Sequence, residues 1–308
     1  MDPVTHVLFS CALARAELIP GSREAQAIMI VAALAPDLDH LFRLRGLNQY
    51  FIHHRRETHS LLGLLVLSLP LVLLGRLFSP ELSYPRIYLF VVMGLFSHFF
   101  LDFLSVPGLP FWFPGKKRFY NFGILFFLDP WPDLLLLPAI FEKIIPLARP
   151  QPARIALSAV LAYLVFLALL KMAARVKGRK SFSEILPQAG TARIFVSPFL
   201  AFPFTWLLLM KHGHTVYRMR YSFLSGPGPV SLFKSDTSSR LGEAVEKSPL
   251  IRALANFSDF IFWRALENES GYRVLVHDLR FSQFTPGFRA EAEFSPEGNL
   301  VSERFRYF

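Results

Sequence analysis

Cysteine is almost missing from this 308-residue chain: Cys11 stands alone, so no intrachain disulfide can form, and the redox compartment stays open. Charge is scarce too. Only 18% of residues are charged, against about a quarter in ordinary soluble domains. With 53% hydrophobic residues and a mean hydropathy of +0.37, the composition points to a membrane protein. A net charge of +10 suggests nucleic acid at first sight. The Lys and Arg residues, however, lie mostly between apolar runs rather than in a basic arm, so they read as an orientation signal and no nucleic-acid partner is expected. A cleavable signal peptide is not expected either, because the first apolar run is interrupted by Arg15 and Glu17 and lacks a basic stretch ahead of it. No period marks a solenoid, and no inverted repeat of the transporter kind is visible.

What is there is a series of apolar runs near the length of roughly 17 to 25 residues that a bilayer-spanning helix needs. They cover 25–42, 60–78, 87–106, 122–141 and 153–171, preceded by a weaker, amphipathic 4–19. The fold expected over 1–175 is therefore an all-α membrane bundle of five to six transmembrane or re-entrant helices. The DPWPD stretch and Pro138 predict a break or kink in the fourth. Basic residues orient the set. Arg43, Arg45, Arg55, Arg56, Lys116, Lys117, Arg118, Lys171, Arg175, Lys177, Arg179 and Lys180 fall in loops on one side; Arg23, Arg76, Arg86, Lys143, Arg149 and Arg154 fall on the other. The richer side is assigned to the cytoplasm, so both termini are expected inside.

After Lys180 the character changes. The runs 204–210 and 215–224 flank KHGH as a hairpin, and 272–284, 287–295 and 299–307 read as further strands between Pro-Gly and Glu-Gly turns. The stretch 191–210 competes as a seventh span, but Pro198 and Pro203 favour the strand. Residues 249–267 carry apolar side chains at helical spacing and predict an amphipathic helix. The expectation for 181–308 is a cytoplasmic α+β domain.

Ionisable residues inside apolar segments are costly and mark candidate functional sites. His6 lies near the N-terminus, Asp37, Asp39 and His40 in PDLDH, and His53, His54 and His59 in HHRRETHS. His98 and Asp102 lie in SHFFLDF, and Asp129 and Asp133 in FLDPWPD. On the orientation above, all fall at the cytoplasmic side. Residues four apart share a helix face, so His98 and Asp102 can present a nitrogen and an oxygen to one ion. Taken singly, each group has a plainer reading: an internal His–Asp hydrogen bond, a helix C-terminal turn, an interfacial loop facing anionic lipid, a cap before Pro130. Convergence is what favours a site. His212, His214 and His277 read as surface residues of the tail.

The order of motifs, Thr5-His6, then PDLDH, then His54-Arg55 with Thr58-His59-Ser60, then Ser97-His98 with Leu101-Asp102, resembles the membrane-bound metal-dependent hydrolases of the YdjM-like type over residues 1 to about 175. That family is in turn distantly similar to zinc-dependent phospholipase C. The resemblance implies metal ligands among His6, Asp37 or Asp39, His59, His98 and Asp102, with His40 and His54 as further candidates and the coordinating histidine of the loop left open. His and Asp donors without Cys suit Zn²⁺ first, with Mn²⁺ or Fe²⁺ as alternatives. Hydrolysis is the implied reaction, with Arg55 or Arg56 as an anion clamp and whichever of Asp37, Asp39 and Asp129 is not a ligand as the candidate proton acceptor. A site at the bilayer surface implies membrane lipid or a lipid-like phosphoester as partner, and the oligomeric state is open. An ion- or metal-binding transporter and a non-catalytic membrane anchor are the competing readings. The orientation is testable: in a Cys11→Ser background, a cysteine at Ser83 should react with an impermeant reagent on intact cells, whereas reaction only after the cells are opened would reverse it.

Overall fold

The computed structural model describes residues 1–115, 118–141, 150–185, 192–283 and 287–307. Lys116, Lys117, Lys143 and Arg149, used above for orientation, lie outside the described residues. The chain divides into two compact units. The first comprises Met1–Asp39, Arg55–Lys116 and Tyr120–Leu169; the second comprises His40–His54, Lys117–Phe119 and Leu170–Phe308.

Helix α1 (Pro3–Arg15) starts where the Asp2 side chain accepts from the Val4 and Thr5 amides with Pro3 in the first turn. Helix α2 (Arg23–Leu34) is capped by Ser22 and ends at Ala35, still in the right-handed region at φ −58° and ψ −37°, where Pro36 has no N–H to continue the i→i−4 ladder. PDLDH then lies in a 3-10 helix, Ala35–Arg45. Helix α3 (Leu47–His53) belongs to the second unit. Helix α4 (Leu61–Phe78) opens on a cap in which Ser60 Oγ accepts from the Gly63 amide at 3.0 Å. Helix α5 (Tyr84–Leu104) returns, followed by the parallel pair β1 (Ser105–Val106) and β2 (Leu125–Phe126), then α6 (Pro130–Ile140) and α7 (Gln151–Ile185).

Among the described residues, three helices are long and apolar enough to cross a membrane: α4, α5 and α7. The expectation of five to six spans is corrected. The runs 4–19, 25–42 and 122–141 hold helices of 13, 12 and 11 residues, and at about 1.5 Å per residue these fall short of a hydrocarbon layer of about 30 Å. Pro36 and the Asp129-Pro130 break shorten the last two. Hydropathy registers the apolar run and not the interruption.

In the first unit α2 lies along α5. Ala25, Met29 and Ala32 pack with Ile87, Phe90, Val91 and Leu95 in a buried core. Gly94 is the crossing point: a Cβ there would overlap the Met29 carbonyl and crowd Ala32 and Ala33. One helical turn further along, the His98 Nδ1 lies 2.8 Å from the Ala33 carbonyl oxygen.

The second unit holds two antiparallel sheets. One runs β3 (Arg193–Phe199), β4 (Phe202–His212), β5 (Thr215–Ser222), β6 (Gly226–Pro227), with β7 (Ser231–Lys234) also pairing β5. After α8 (Arg240–Lys247) and α9 (Pro249–Phe257) comes the other, in the order β11 (Leu300–Arg306), β10 (Arg289–Phe294), β9 (Gly271–Asp278), β8 (Ile261–Asn268). The KHGH hairpin forms as expected, turning at Gly213 with φ +57°. The helix expected over 249–267 is corrected: it ends at Phe257, and Ile261 to Asn268 pair residue by residue with β9. Helix α3 docks within this unit. Asn48 donates to the Glu303 carbonyl and accepts from the Phe305 amide, both at 2.8 Å, and the Phe51 ring stacks on Phe305 at 3.9 Å.

Gly94→Ala should separate α2 from α5. Overpacking of this kind costs about 1–3 kcal/mol, so the thermal midpoint in detergent should fall; an unchanged midpoint would mean the two helices do not approach this closely.

Candidate metal centre

Five side chains from three segments and a loop converge in the first unit. His6 comes from α1, Asp37 from the 3-10 helix, His59 from the loop before α4, and His98 with Asp102 from one face of α5. All are buried except the rim of Asp37: His6, His59 and His98 are 1% exposed and Asp102 is 0% exposed. Two triads, His6–His98–Asp102 and Asp37–His59–His98, each keep their ligand-capable atoms within 4.8 Å of one another and share His98.

The separations are those of ligands around a common ion. Asp102 Oδ2 lies 3.5 Å from both His59 Nε2 and His98 Nε2, and Asp102 Oδ1 lies 3.6 Å from His6 Nε2. Asp37 Oδ1 lies 3.4 Å from His59 Nε2 and 3.9 Å from His98 Nε2. Ligand bonds of about 2.0–2.1 Å in a tetrahedron put donor atoms roughly 3.3 Å apart. These contacts are long for hydrogen bonds. Both ring nitrogens of His6, Nε2 of His98 and Oδ2 of Asp102 are buried without a hydrogen-bond partner among the described residues. Burying polar atoms unsatisfied is expensive, so the donor set fits a cation better than an internal network.

Orientation is built around this set. With Nδ1 of His98 facing the Ala33 carbonyl, its proton sits there and the Nε2 lone pair points at Asp102. The His6 ring stacks on His98 at 3.7 Å with the planes 12° apart, and the His59 ring meets His98 edge-on at 4.9 Å. Asp39 takes the far side of His59, 3.3 Å from Nδ1, where its Oδ2 also accepts from the Arg55 amide at 2.8 Å and the Thr58 hydroxyl at 3.2 Å. Arg55 occupies the left-handed region at φ +58°, a conformation that costs a non-glycine residue about 1–3 kcal/mol. In return its amide reaches Asp39, while its Nη2 lies 2.9 Å from Asp102 and donates to the Met1 carbonyl at 3.1 Å. Nη1 is buried with no partner among the described residues.

The Met1 amine also contacts Asp102, and burial together with Arg55 lowers its pKa. Asp37, Asp39 and Asp102 place three carboxylates around Arg55 and the imidazoles, an acidic surplus that a cation would offset. Burial opposes a charge on His59, but Asp37 and Asp39 outweigh it and raise His59 to about 9. Burial likewise opposes the charge on Asp37, and the imidazoles of His59, His98 and His6 still hold its carboxyl below the ordinary range.

His40 and His54 belong to the second unit, where the His54 ring stacks on Tyr50 at 4.6 Å and meets His40 edge-on at 4.6 Å; His53 there stacks on Phe42 at 4.3 Å. Asp129 caps α6, accepting from the Trp131 amide at 3.1 Å and the Tyr163 hydroxyl at 3.2 Å. Thr58, the Ala33 carbonyl and the turned backbone of Arg55 were not singled out from the sequence as site elements. Of these only Thr58 left a trace, in the THS motif.

The sequence model of the YdjM inner membrane protein family matches residues 1–176. An uncharacterized protein, YfhP, of Bacillus subtilis (strain 168) is 26% identical over 296 residues, covering 91% of this chain and 87% of its own length. No solved structure matches.

If a metal and a proton compete at His59, metal affinity should rise by about tenfold per pH unit as pH increases toward 9. Chelator competition at several pH values measures this, and a flat profile between pH 6 and 8 would remove His59 from the coordinating set.

Proposed function

The chain belongs to the YdjM inner membrane protein family, and from that premise we propose that it is an integral-membrane metal-dependent hydrolase. Its substrate is an ester or phosphoester of a lipid or lipid-like molecule, taken at the cytoplasmic bilayer surface. The observation that carries the reading is the convergence of His6, Asp37, His59, His98 and Asp102, with buried atoms of His6, His98 and Asp102 and the Nη1 of Arg55 finding no hydrogen-bond partner among the described residues.

In this reading His6, Asp37, His59, His98 and Asp102 hold one or two divalent cations, Zn²⁺ first by the nitrogen and oxygen character of the donors. A bound cation supplies Lewis acidity and a water acidified toward neutrality. The chain's own residues do the rest. Asp39 and Thr58 fix the ring of His59, Ala33 fixes that of His98, and Arg55 Nη1 offers a donor to an anionic substrate oxygen while Nη2 stays on Asp102. Asp129, whose oxygens serve Trp131 and Tyr163, acts here as a cap rather than as proton acceptor.

His98→Ala and Asp102→Asn should each lose metal and turnover of phosphodiester or ester probes together. Arg55→Ala should keep the metal and lose about 10- to 100-fold in kcat/KM on anionic substrates, the value of a hydrogen bond to a charged group. Metal retained with ion flux in vesicles and no turnover would replace the hydrolase with a transporter.

A further inference from the structure

The second unit contains a cleft of about 310 Å³ that the metal centre leaves unexplained. It is lined by Phe199, Leu207, Pro229 and Ser231 together with Arg218, Arg220, Ser282 and Gln283, so two guanidinium groups and no carboxylate face it. Side chains two apart on a strand project from one face, roughly 7 Å apart, and so Arg218 and Arg220 stand side by side on β5. Register places them opposite Leu209 and Leu207 of β4.

Arg218 is held in place. Its Nη1 donates to the Ser282 carbonyl at 3.1 Å, and its guanidinium lies 5.3 Å from the centre of the Phe233 ring. Arg220 is exposed and enters no side-chain hydrogen bond or ion pair with a described residue. Gln283 is oriented too: its Oε1 accepts from the Leu200 amide at 3.0 Å, which fixes its Nε2 as a donor, and that donor is buried without an acceptor among the described residues. The Ser282 hydroxyl is likewise buried without a partner among the described residues. A cleft lined by several donors and two guanidinium groups, with no acid among its described lining residues, is unbalanced in charge. Its volume is at the small end of ligand pockets, about 300 to 1,000 Å³.

We propose that this cleft is a binding site for a phosphate-type oxyanion, held between Arg218 and Arg220 with Gln283 and Ser282 completing the shell and Phe199, Leu207 and Pro229 receiving a short apolar part. The paired planar guanidinium forks suit phosphate geometry. None of the metal-centre residues takes part, so the site stands or falls independently of the hydrolase reading.

The test uses the full chain in detergent, with inorganic phosphate titrated by calorimetry. A second arm measures co-flotation of the protein in nanodiscs with vesicles containing phosphatidic acid, against vesicles of phosphatidylcholine alone. Phosphate should bind the wild type and the Asp102→Asn variant equally, and affinity should fall at least tenfold in Arg220→Gln and further in Arg218→Gln/Arg220→Gln. Arg220, exposed and unbonded, can change without unfolding the sheet. Preference for phosphatidic acid vesicles that Arg220→Gln abolishes would support the same site and name a lipid headgroup as the source; binding of inorganic phosphate with no vesicle preference would name a soluble phosphoester. The proposal is overturned if the wild type binds neither probe, if Arg220→Gln binds like wild type, or if Asp102→Asn alone removes phosphate binding.

Discussion

The buried carboxylate of Asp102 is the constraint around which the first unit is arranged. A charged group with no exposed surface costs several kcal/mol in desolvation unless partners surround it, and breaking one such partnership typically costs about 3–5 kcal/mol. Asp102 gathers those partners from distant parts of the chain: His6 from α1, Arg55 and His59 from the loop before α4, and His98 from its own helix. Each contact ties one segment to the same end of α5. The imidazoles alone do not complete the neutralisation, because their nitrogens lie 3.5–3.6 Å from Asp102, long for hydrogen bonds, and both ring nitrogens of His6 find no partner among the described residues.

That arrangement depends on close helix contact. Gly94 lets α2 reach α5, which brings the Ala33 carbonyl to His98 and sends the chain into the 3-10 turn carrying Asp37 and Asp39. A 3-10 helix turns every three residues, so side chains two apart leave on different sides. Asp37 and Asp39 consequently approach His59 from its two nitrogens. The strained backbone at Arg55 is sustained by the same set, since one residue serves Asp39 with its amide and Asp102 with its guanidinium.

Much of this was legible in the amino-acid order. The four-residue spacing of His98 and Asp102 needs only a helix to become a pair of ligands, and α5 is apolar enough to guarantee one. The hairpin at KHGH and the strands at 272–284, 287–295 and 299–307 followed from turn residues and alternation, although the 3-10 turn at Leu279–Phe281 shortens the first of them. Other features depend on tertiary contact and leave little local signal. Proline-limited helices in 25–42 and 122–141 look like spans to a hydropathy reading. The stretch 261–267 has apolar residues that suit either a helix or a strand, and pairing with β9 decides it. That α3 belongs with β11 rests on the Asn48 hydrogen bonds and the Phe51–Phe305 stack, which no nearby residue announces. The difference between Asp37 and Asp39 is a difference of backbone turn.

X-ray absorption at the metal edge of the purified full chain tests the central claim most directly. The account predicts bound metal with a first shell of nitrogen and oxygen only, at about 2.0–2.2 Å, with outer-shell scattering from imidazole that diminishes in His98→Ala and His59→Ala. Protein that carries no metal after purification with added Zn²⁺, Mn²⁺ or Fe²⁺, or a shell containing sulfur from Cys11, would contradict it.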